Sequence, residues 1–174
     1  MTVHSAGLLL YRLRRSADGT DAGASAVEVL IAHMGGPFWS AKEAAAWSIP
    51  KGEFDPDAES AWDAAAREFR EELGVDPPDA PAAELGTFPY SSGKRVTVFV
   101  ADGDGFAAPS DGFGEFEMEW PPRSGRTQRF PEVDRVEWVG ADVARERLVK
   151  GQRPALDALL DRLDALGHVT HIRN

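Results

Sequence analysis

Apolar positions along the chain follow two periods. SAGLLLYRL (5–13) and VEVLIAH (27–33) are aliphatic, β-prone runs, and SADGTDAGAS between them is small and polar, so they predict an antiparallel strand pair joined by a loose loop. AWSIP (46–50) predicts a short strand stopped by Pro50, which cannot donate to a ladder. ELGTFPY (84–90) and KRVTVFVA (94–101) predict two strands across SSG, FEMEW (116–120) another, and DRVEWVG (134–140) a late one. DGDGFAAPSDGFG and PPRSGRTQRFPE carry neither period and are predicted as loops. Helical spacing returns in ADVARERLVKG and in RPALDALLDRLDALG, where Leu156, Leu159, Leu160, Leu163 and Leu166 share a face. Strands and helices in this irregular order imply an α+β domain with a mixed sheet, not a regular parallel series.

One further helix stands apart. In DPDAESAWDAAAREFREELGV, Asp55 can cap, Pro56 suits the first turn, Gly74 closes the last turn and Pro77 forbids continuation, which predicts a helix over 57–73. Trp62, Ala65, Ala66, Phe69 and Leu73 form its expected buried stripe. Glu68, Glu71 and Glu72, at i, i+3 and i+4, centre roughly 110° around from that stripe, with Glu72 nearest the core. On the other flank Asp63 and Arg67 are spaced for an ion pair. Three carboxylates on one face cost on the order of 1 kcal/mol per pair in water and more when sheltered, so solvent or a cation must relieve them.

Composition narrows what that cluster can do. With 174 residues, 43% of them hydrophobic, the chain supports a single domain over 1–174. A net charge of −10 disfavours a nucleic-acid or membrane-surface binder, and an anionic ligand would need local help from a cation. The absence of cysteine excludes thiolate nucleophiles and disulfides. The N-terminal apolar run is too short for a signal core and no long apolar segment follows, so a cytoplasmic location is expected. The lead-in IPKGEFDPD then gives the glutamates a context. Lys51 offers an ammonium to phosphate, Gly52 allows a tight backbone turn, and a helix of clustered carboxylates follows: oxygen donors suited to a hard cation with room for a substrate phosphate.

These residues resemble the Nudix hydrolase signature, a glycine, five residues, Glu, seven residues, then Arg-Glu-apolar-any-Glu-Glu-any-Gly-apolar. Arg67, Glu68, Phe69, Glu71, Glu72, Gly74 and Val75 match its second half, and Glu59 keeps its spacing to Arg67. Six residues instead of five separate Gly52 from Glu59, a departure that a longer loop absorbs without shifting the helix register. The resemblance implies the Nudix fold, a mixed β-sheet sandwiched between α-helices. It also implies hydrolysis of a pyrophosphate linkage in a nucleoside diphosphate derivative with Mg²⁺ or Mn²⁺. Glu68, Glu71 and Glu72 would bind metal with the Gly52 carbonyl, and Glu59 and Arg67 would orient the loop and helix. The general base is left between Glu68 and a downstream acid; Glu132 lies where many family members carry one, with Glu115, Glu117 and Glu119 as rivals.

WSIPKG (47–52) is similar to the lead-in of dinucleoside polyphosphate and diphosphoinositol hydrolases, so Trp47 and Lys51 are expected at the substrate, Lys51 on a non-scissile phosphate. Lys94, near Tyr90, is a second candidate. Arg123, Arg126 and Arg129 surround Trp120 and Phe130 and could grip a long phosphate chain and stack a base. The expected partner is a nucleotide-derived polyphosphate; a membrane is not expected, nucleic acid is disfavoured, and a homodimer is left open. The alternative is a Nudix domain that binds a nucleotide without cleaving it. His168 and His171 at i, i+3 read as a frayed tail.

Overall fold

A computed structural model of the chain describes residues 2–14, 26–91 and 93–167. The loop predicted between the first two strands, and the His168/His171 pair, lie outside the described residues.

Among the described residues the central sheet has seven strands. Strands β3 (Trp47–Ser48), β2 (Ala26–Met34), β1 (Val3–Arg14), β6 (Lys94–Asp102) and β5 (Ala82–Ser91) follow one another across it; β4 (Lys51–Phe54) pairs with β1, and β9 (Val133–Gly140) with β2. β1 is antiparallel to β2, as expected, but parallel to β6, which makes the sheet mixed. Side chains alternate across a strand, so Leu8 and Leu10 face one layer while Leu9 faces the other. Helix α1 (Ala61–Leu73) covers the first layer through Ala64, Ala65, Phe69 and Leu73. Helix α3 (Arg153–Ala165) covers the second through Leu156, Leu159, Leu160 and Leu163, with α2 (Ala141–Arg147) beside it. β1 is buried on both faces, which explains its unbroken apolar run. No described helix is long and apolar enough to cross a membrane.

Several elements differ from expectation. The carboxylate helix starts at Ala61, one turn late: Ser60 is the cap, its Oγ accepting from Asp63 N–H at 3.1 Å, while Asp55 caps only the preceding turn through Asp57 N–H at 3.0 Å. A hydroxyl followed three residues later by Asp63 outcompetes Asp55–Pro56 for the cap. Trp62 is not core; it is half-exposed at the helix edge, its ring edge-on to Phe99. Asp63 bonds Ser60, so its expected pairing with Arg67 does not form. Leu166 lies beyond α3 and is exposed. KGEF, read as a turn, is strand β4, and part of the second predicted loop is strand β8 (Thr127–Pro131), which pairs with β7 (Glu115–Glu119) in a separate hairpin.

Candidate active site

Strand β4 brings the lead-in under α1. Gly52 sits directly beneath Glu68: a Cβ built there would stand 1.9 Å from the Glu68 carboxylate, so any side chain at 52 displaces that carboxylate. Glu72 is largely buried and accepts the Lys51 backbone N–H at 3.2 Å. Burial pushes its carboxyl up to about 8, against the lowering influence of the Lys51 charge and hydrogen bond. The Lys51 ammonium is likewise pushed down by burial, against Glu72, Glu68 and Glu53. Both partners shift toward their neutral forms, so desolvation outweighs their mutual attraction.

Arg67 organises the other carboxylates. Its guanidinium donates to Glu59 and Glu68 at 2.7 Å and to Glu71 at 3.0 Å, and reaches the Glu53 carbonyl at 3.4 Å. The hydrogen bonds to Glu59 lead in raising its already high pKa. The additional residue before Glu59 is taken up by the 55–59 turn, where the Asp55 carbonyl accepts from Ala58 and Glu59 N–H, leaving Glu59 in reach of Arg67.

Glu132 arrives from the far end of the chain. The loop between β6 and β7 docks on the end of α1 through Gly114, whose N–H donates to the Glu72 carbonyl at 3.1 Å and whose carbonyl accepts the Glu132 N–H at 2.7 Å. A Cβ at Gly114 would lie 2.5 Å from the Glu71 carbonyl and 2.9 Å from Glu132 Oε2, so only glycine permits this approach. Burial, then the charges of Glu68 and Glu71, push the Glu132 carboxyl above its ordinary value. The fold therefore gathers Glu132 with the helix glutamates. Glu115, Glu117 and Glu119 instead run up the exposed side of the β7–β8 hairpin.

Lys51 and Lys94 converge beside the cluster, their Nζ atoms 5.4 and 5.7 Å from the centre of the Tyr90 ring. Lys94 also pairs with Glu53 at 2.9 Å. Trp47 does not belong with them. It is fully buried in the other core layer, its ring edge-on to His33 and covered by the Arg135 and Arg147 guanidinia. Its Nε1–H has no acceptor at bonding distance, although Glu43 lies near enough to feel it. Trp47 anchors the strand before Lys51 and offers substrate no surface. Arg123 and Arg126 are exposed near the hairpin tip. Arg126 is six residues from Glu132 along β8, about 20 Å at 3.3 Å per residue, so neither is brought to the carboxylates. Gly114 is the one site element that the sequence pattern missed; its signal was a GFG triplet inside an aperiodic loop.

The carboxylate set can be weighed as a cation site from this geometry. Among the described residues no three acidic or histidine side chains close on a common point. Arg67 holds Glu68 Oε1 and Glu71 Oε2, and the Lys51 N–H holds Glu72 Oε2. Each carboxylate keeps its second oxygen free of these bonds, and burial, more than any neighbouring charge, raises Glu72 and Glu132. An all-oxygen donor set with excess negative charge fits a hard divalent cation.

Comparison with known proteins decides the family. The chain matches the NUDIX domain over residues 22–159. It belongs to the Nudix family. A curated relative, the 8-oxo-(d)GTP phosphatase of Mycolicibacterium smegmatis, is 31% identical over 154 residues, covering 84% of this chain; the chain spans only 38% of that protein's length. Among solved structures, the NUDIX domain of Shewanella oneidensis NrtR complexed with ADP ribose superposes with a TM-score of 0.56 at 17% identity, over 94% of this chain and 89% of that one. A C. elegans Ap4A hydrolase binary complex gives a TM-score of 0.56 at 21% identity, over 92% and 98% of the two chains. These structures share the fold of this Nudix chain. Its seven-stranded mixed sheet between α1 and α3 is the architecture that the signature implied.

Proposed function

We propose that the chain, read as a single Nudix domain over 1–174 in the cytoplasm, is a Mg²⁺- or Mn²⁺-dependent hydrolase of a phosphoanhydride bond in a nucleotide-derived polyphosphate. The observation that carries this reading is the arrival of Glu132 at Glu68 and Glu71, from more than sixty positions away in sequence. Nothing in folding requires these four carboxylates to lie within one another's field, because like charges brought together out of water destabilise the chain. A site that must hold a cation and handle a proton does require it.

In this reading Glu68, Glu71 and Glu72, with the Gly52 carbonyl, would hold the cation, while Arg67 and the Lys51 N–H keep one oxygen of each carboxylate oriented. When bound, the cation offsets phosphate charge and makes a water more acidic. Glu132, its proton affinity raised by burial and then by Glu68 and Glu71, takes the proton from the attacking water. That role needs an acid poised above the ordinary carboxylate range. Lys51 and Lys94, backed by Tyr90, fix a phosphate that does not react. Arg67 touches no substrate; it keeps Glu68 and Glu71 oriented through Glu59.

The relative that acts on 8-oxo-(d)GTP supports a second substrate, a nucleoside triphosphate with an oxidised base. Hydrolysis of a dinucleoside tetraphosphate and of 8-oxo-dGTP, measured side by side with Mg²⁺ and Mn²⁺, tests both. Turnover of either that chelation abolishes supports the hydrolase reading. Metal-dependent binding of both without product defeats it in favour of a nucleotide-binding domain.

A further inference from the structure

Strands β1 and β2 pair over 11–14 and 26–29, and beyond that stretch residues 47–54 stand between them. Ser48 pairs with Ala32 of β2, whereas Lys51 pairs with Gly7 of β1, so the backbone changes partner at Ile49 and Pro50. Pro50 has no N–H to give, and its carbonyl accepts the Leu8 N–H at 3.1 Å. Ile49, fully buried, bonds outside the sheet: its N–H donates to Gln152 Oε1 at 2.6 Å, 103 positions further along the chain. The other end of that amide is also engaged, Nε2 donating to Ser48 Oγ at 2.9 Å while Ser48 donates to the Ile49 carbonyl at 2.8 Å. Val149 N–H meets the Trp47 carbonyl at 2.9 Å, so residues 148–152 serve 47–49 as a substitute strand.

Gln152 belongs to a single 3₁₀ turn, Lys150–Gln152, that also touches the second support of the lysines. A Cβ at Gly151 would stand 2.6 Å from the Tyr90 carbonyl oxygen and 3.0 Å from its ring, so only glycine lets the turn seat there. That ring is the one beside the Lys51 and Lys94 ammonium groups. Gly7 closes the remaining side, because a Cβ there would lie 2.7 Å from the Pro50 carbonyl oxygen and 2.8 Å from Lys51 Cβ. Leucine would fill the place of Gln152, itself 2% exposed, without burying an amide, but would leave the Ile49 N–H unpaired. The backbone leading into Lys51 is thus held from two sides. A lysine packed on a ring has little freedom to correct an error in its own backbone, so that hold decides where its ammonium lies.

We propose that the Lys150–Gln152 turn positions the two lysines that hold the non-reacting phosphate, with Gln152 setting the height of Lys51 and Gly151 seating the Tyr90 ring. Gln152 touches neither phosphate nor cation; it is a positioning residue that acts through Lys51. Phosphate affinity is thereby set from the α3 side of the sheet, and cation binding from the α1 side. The inference rests on the hydrolase reading for the role of the lysines, but not for the coupling between Gln152 and Lys51.

The test is a double-variant cycle on Gln152→Leu, Lys51→Met and the two combined, with calorimetric titration of inorganic tripolyphosphate in Mg²⁺ and a separate titration of Mn²⁺. Losing a charged partner of phosphate should weaken tripolyphosphate binding ~10-fold in Lys51→Met. Gln152→Leu should approach that loss, the combined variant should bind no more weakly than Lys51→Met alone, and none of the three should lose Mn²⁺ affinity. Additive losses, wild-type phosphate affinity in either single variant, or a parallel fall in Mn²⁺ affinity would each overturn the inference, since a merely loosened fold produces the first or the last. Gly151→Ala, which leaves the Gln152 side chain in place and displaces Tyr90, gives an independent reading where Gln152→Leu melts below the assay temperature. Weaker tripolyphosphate binding with Mn²⁺ affinity intact is expected of it, and wild-type tripolyphosphate affinity would overturn the inference. Turnover is followed separately. If coupled phosphate binding is found but no nucleotide is cleaved, the hydrolase reading fails and the positioning role stands; if wild type cleaves while Gln152→Leu binds phosphate as wild type does, the reverse holds.

Discussion

Helices α1 and α3 are each thirteen residues long and cover opposite faces of one sheet, yet they are built for different ends. The buried face of α3 carries four leucines, and its layer, which also holds Trp47 and the bonded Ser48–Gln152 pair, has no carboxylate among its described buried residues. α1 buries two alanines, one phenylalanine and one leucine. The small residues let it sit close over β4, which places Glu68 on Gly52 and Glu72 on the Lys51 amide. The apolar periodicity of the two helices is alike; what separates them is how near the polar shoulder lies to the sheet. Substitutions in α3 should therefore register as stability, and substitutions on the shoulder of α1 as chemistry.

Glu72→Gln is the largest expected separation. Losing a cation ligand should cut kcat by ~10³-fold, the several kcal/mol that a bound cation supplies. The fold should survive, because burial already favours the neutral form of this group. In chelator the sign can be followed by pH. The folded carboxyl titrates above its ordinary value of 4.5, so the folded state keeps a proton that the unfolded chain releases. The contribution of Glu72 to wild-type stability should be fully present below that value and be lost as pH rises through about 8; Glu72→Gln should flatten that alkaline decline in denaturant melts. A variant that unfolds would blur the distinction between the two helices.

Leu159→Ala should do the converse. A fully buried leucine replaced by alanine costs about 2–5 kcal/mol of unfolding free energy, while kcat below the melting temperature stays at wild type. Gly52→Ala falls between them. The three atoms nearest the new Cβ are the carboxylate end of the Glu68 side chain and not backbone, so the melting temperature should barely move. Displacing the carboxylate should nonetheless lower kcat by ~10–100-fold, in the range of misplaced ligand supports. Equal stability losses at Gly52 and Leu159 would erase the contrast.

The smallest effect is expected away from both helices. Burial works to raise the Glu28 carboxyl, but hydrogen bonds from Arg12 and Arg14 prevail and hold it below its ordinary value. The stability it contributes is present above the ordinary carboxylate value and is lost as pH falls toward the folded one. Glu28→Gln should cost under about 1 kcal/mol at neutral pH, as partly exposed pairs do, and leave turnover unchanged.

What could be read from the sequence follows the same division. The end of α1 at Gly74, the leucine face of α3 and the β5–β6 pair were legible because turn residues and period are local. Strand β8 was not: TQRFP is polar and exposed, and only its partner Glu115–Glu119 makes it a strand. β4 was hidden by Gly52, which reads as a turn until β1 pairs with it. Trp47 shows the opposite error, in which a resemblance assigned to substrate a side chain that the core needs. Glu132 could be ranked from the resemblance alone. Its approach to Glu68 depends on a glycine contact and a long connection that no local pattern encodes.

The central claim is that the four carboxylates form one cation site, and Mn²⁺ binding tests it most directly. Titrations followed by the paramagnetic resonance of free Mn²⁺ should show saturable binding to wild type, loss of that binding in a Glu68→Gln, Glu72→Gln double variant, and weaker binding in Glu132→Gln. Mn²⁺ affinity unchanged in the double variant, with its fold confirmed by circular dichroism, would contradict the account.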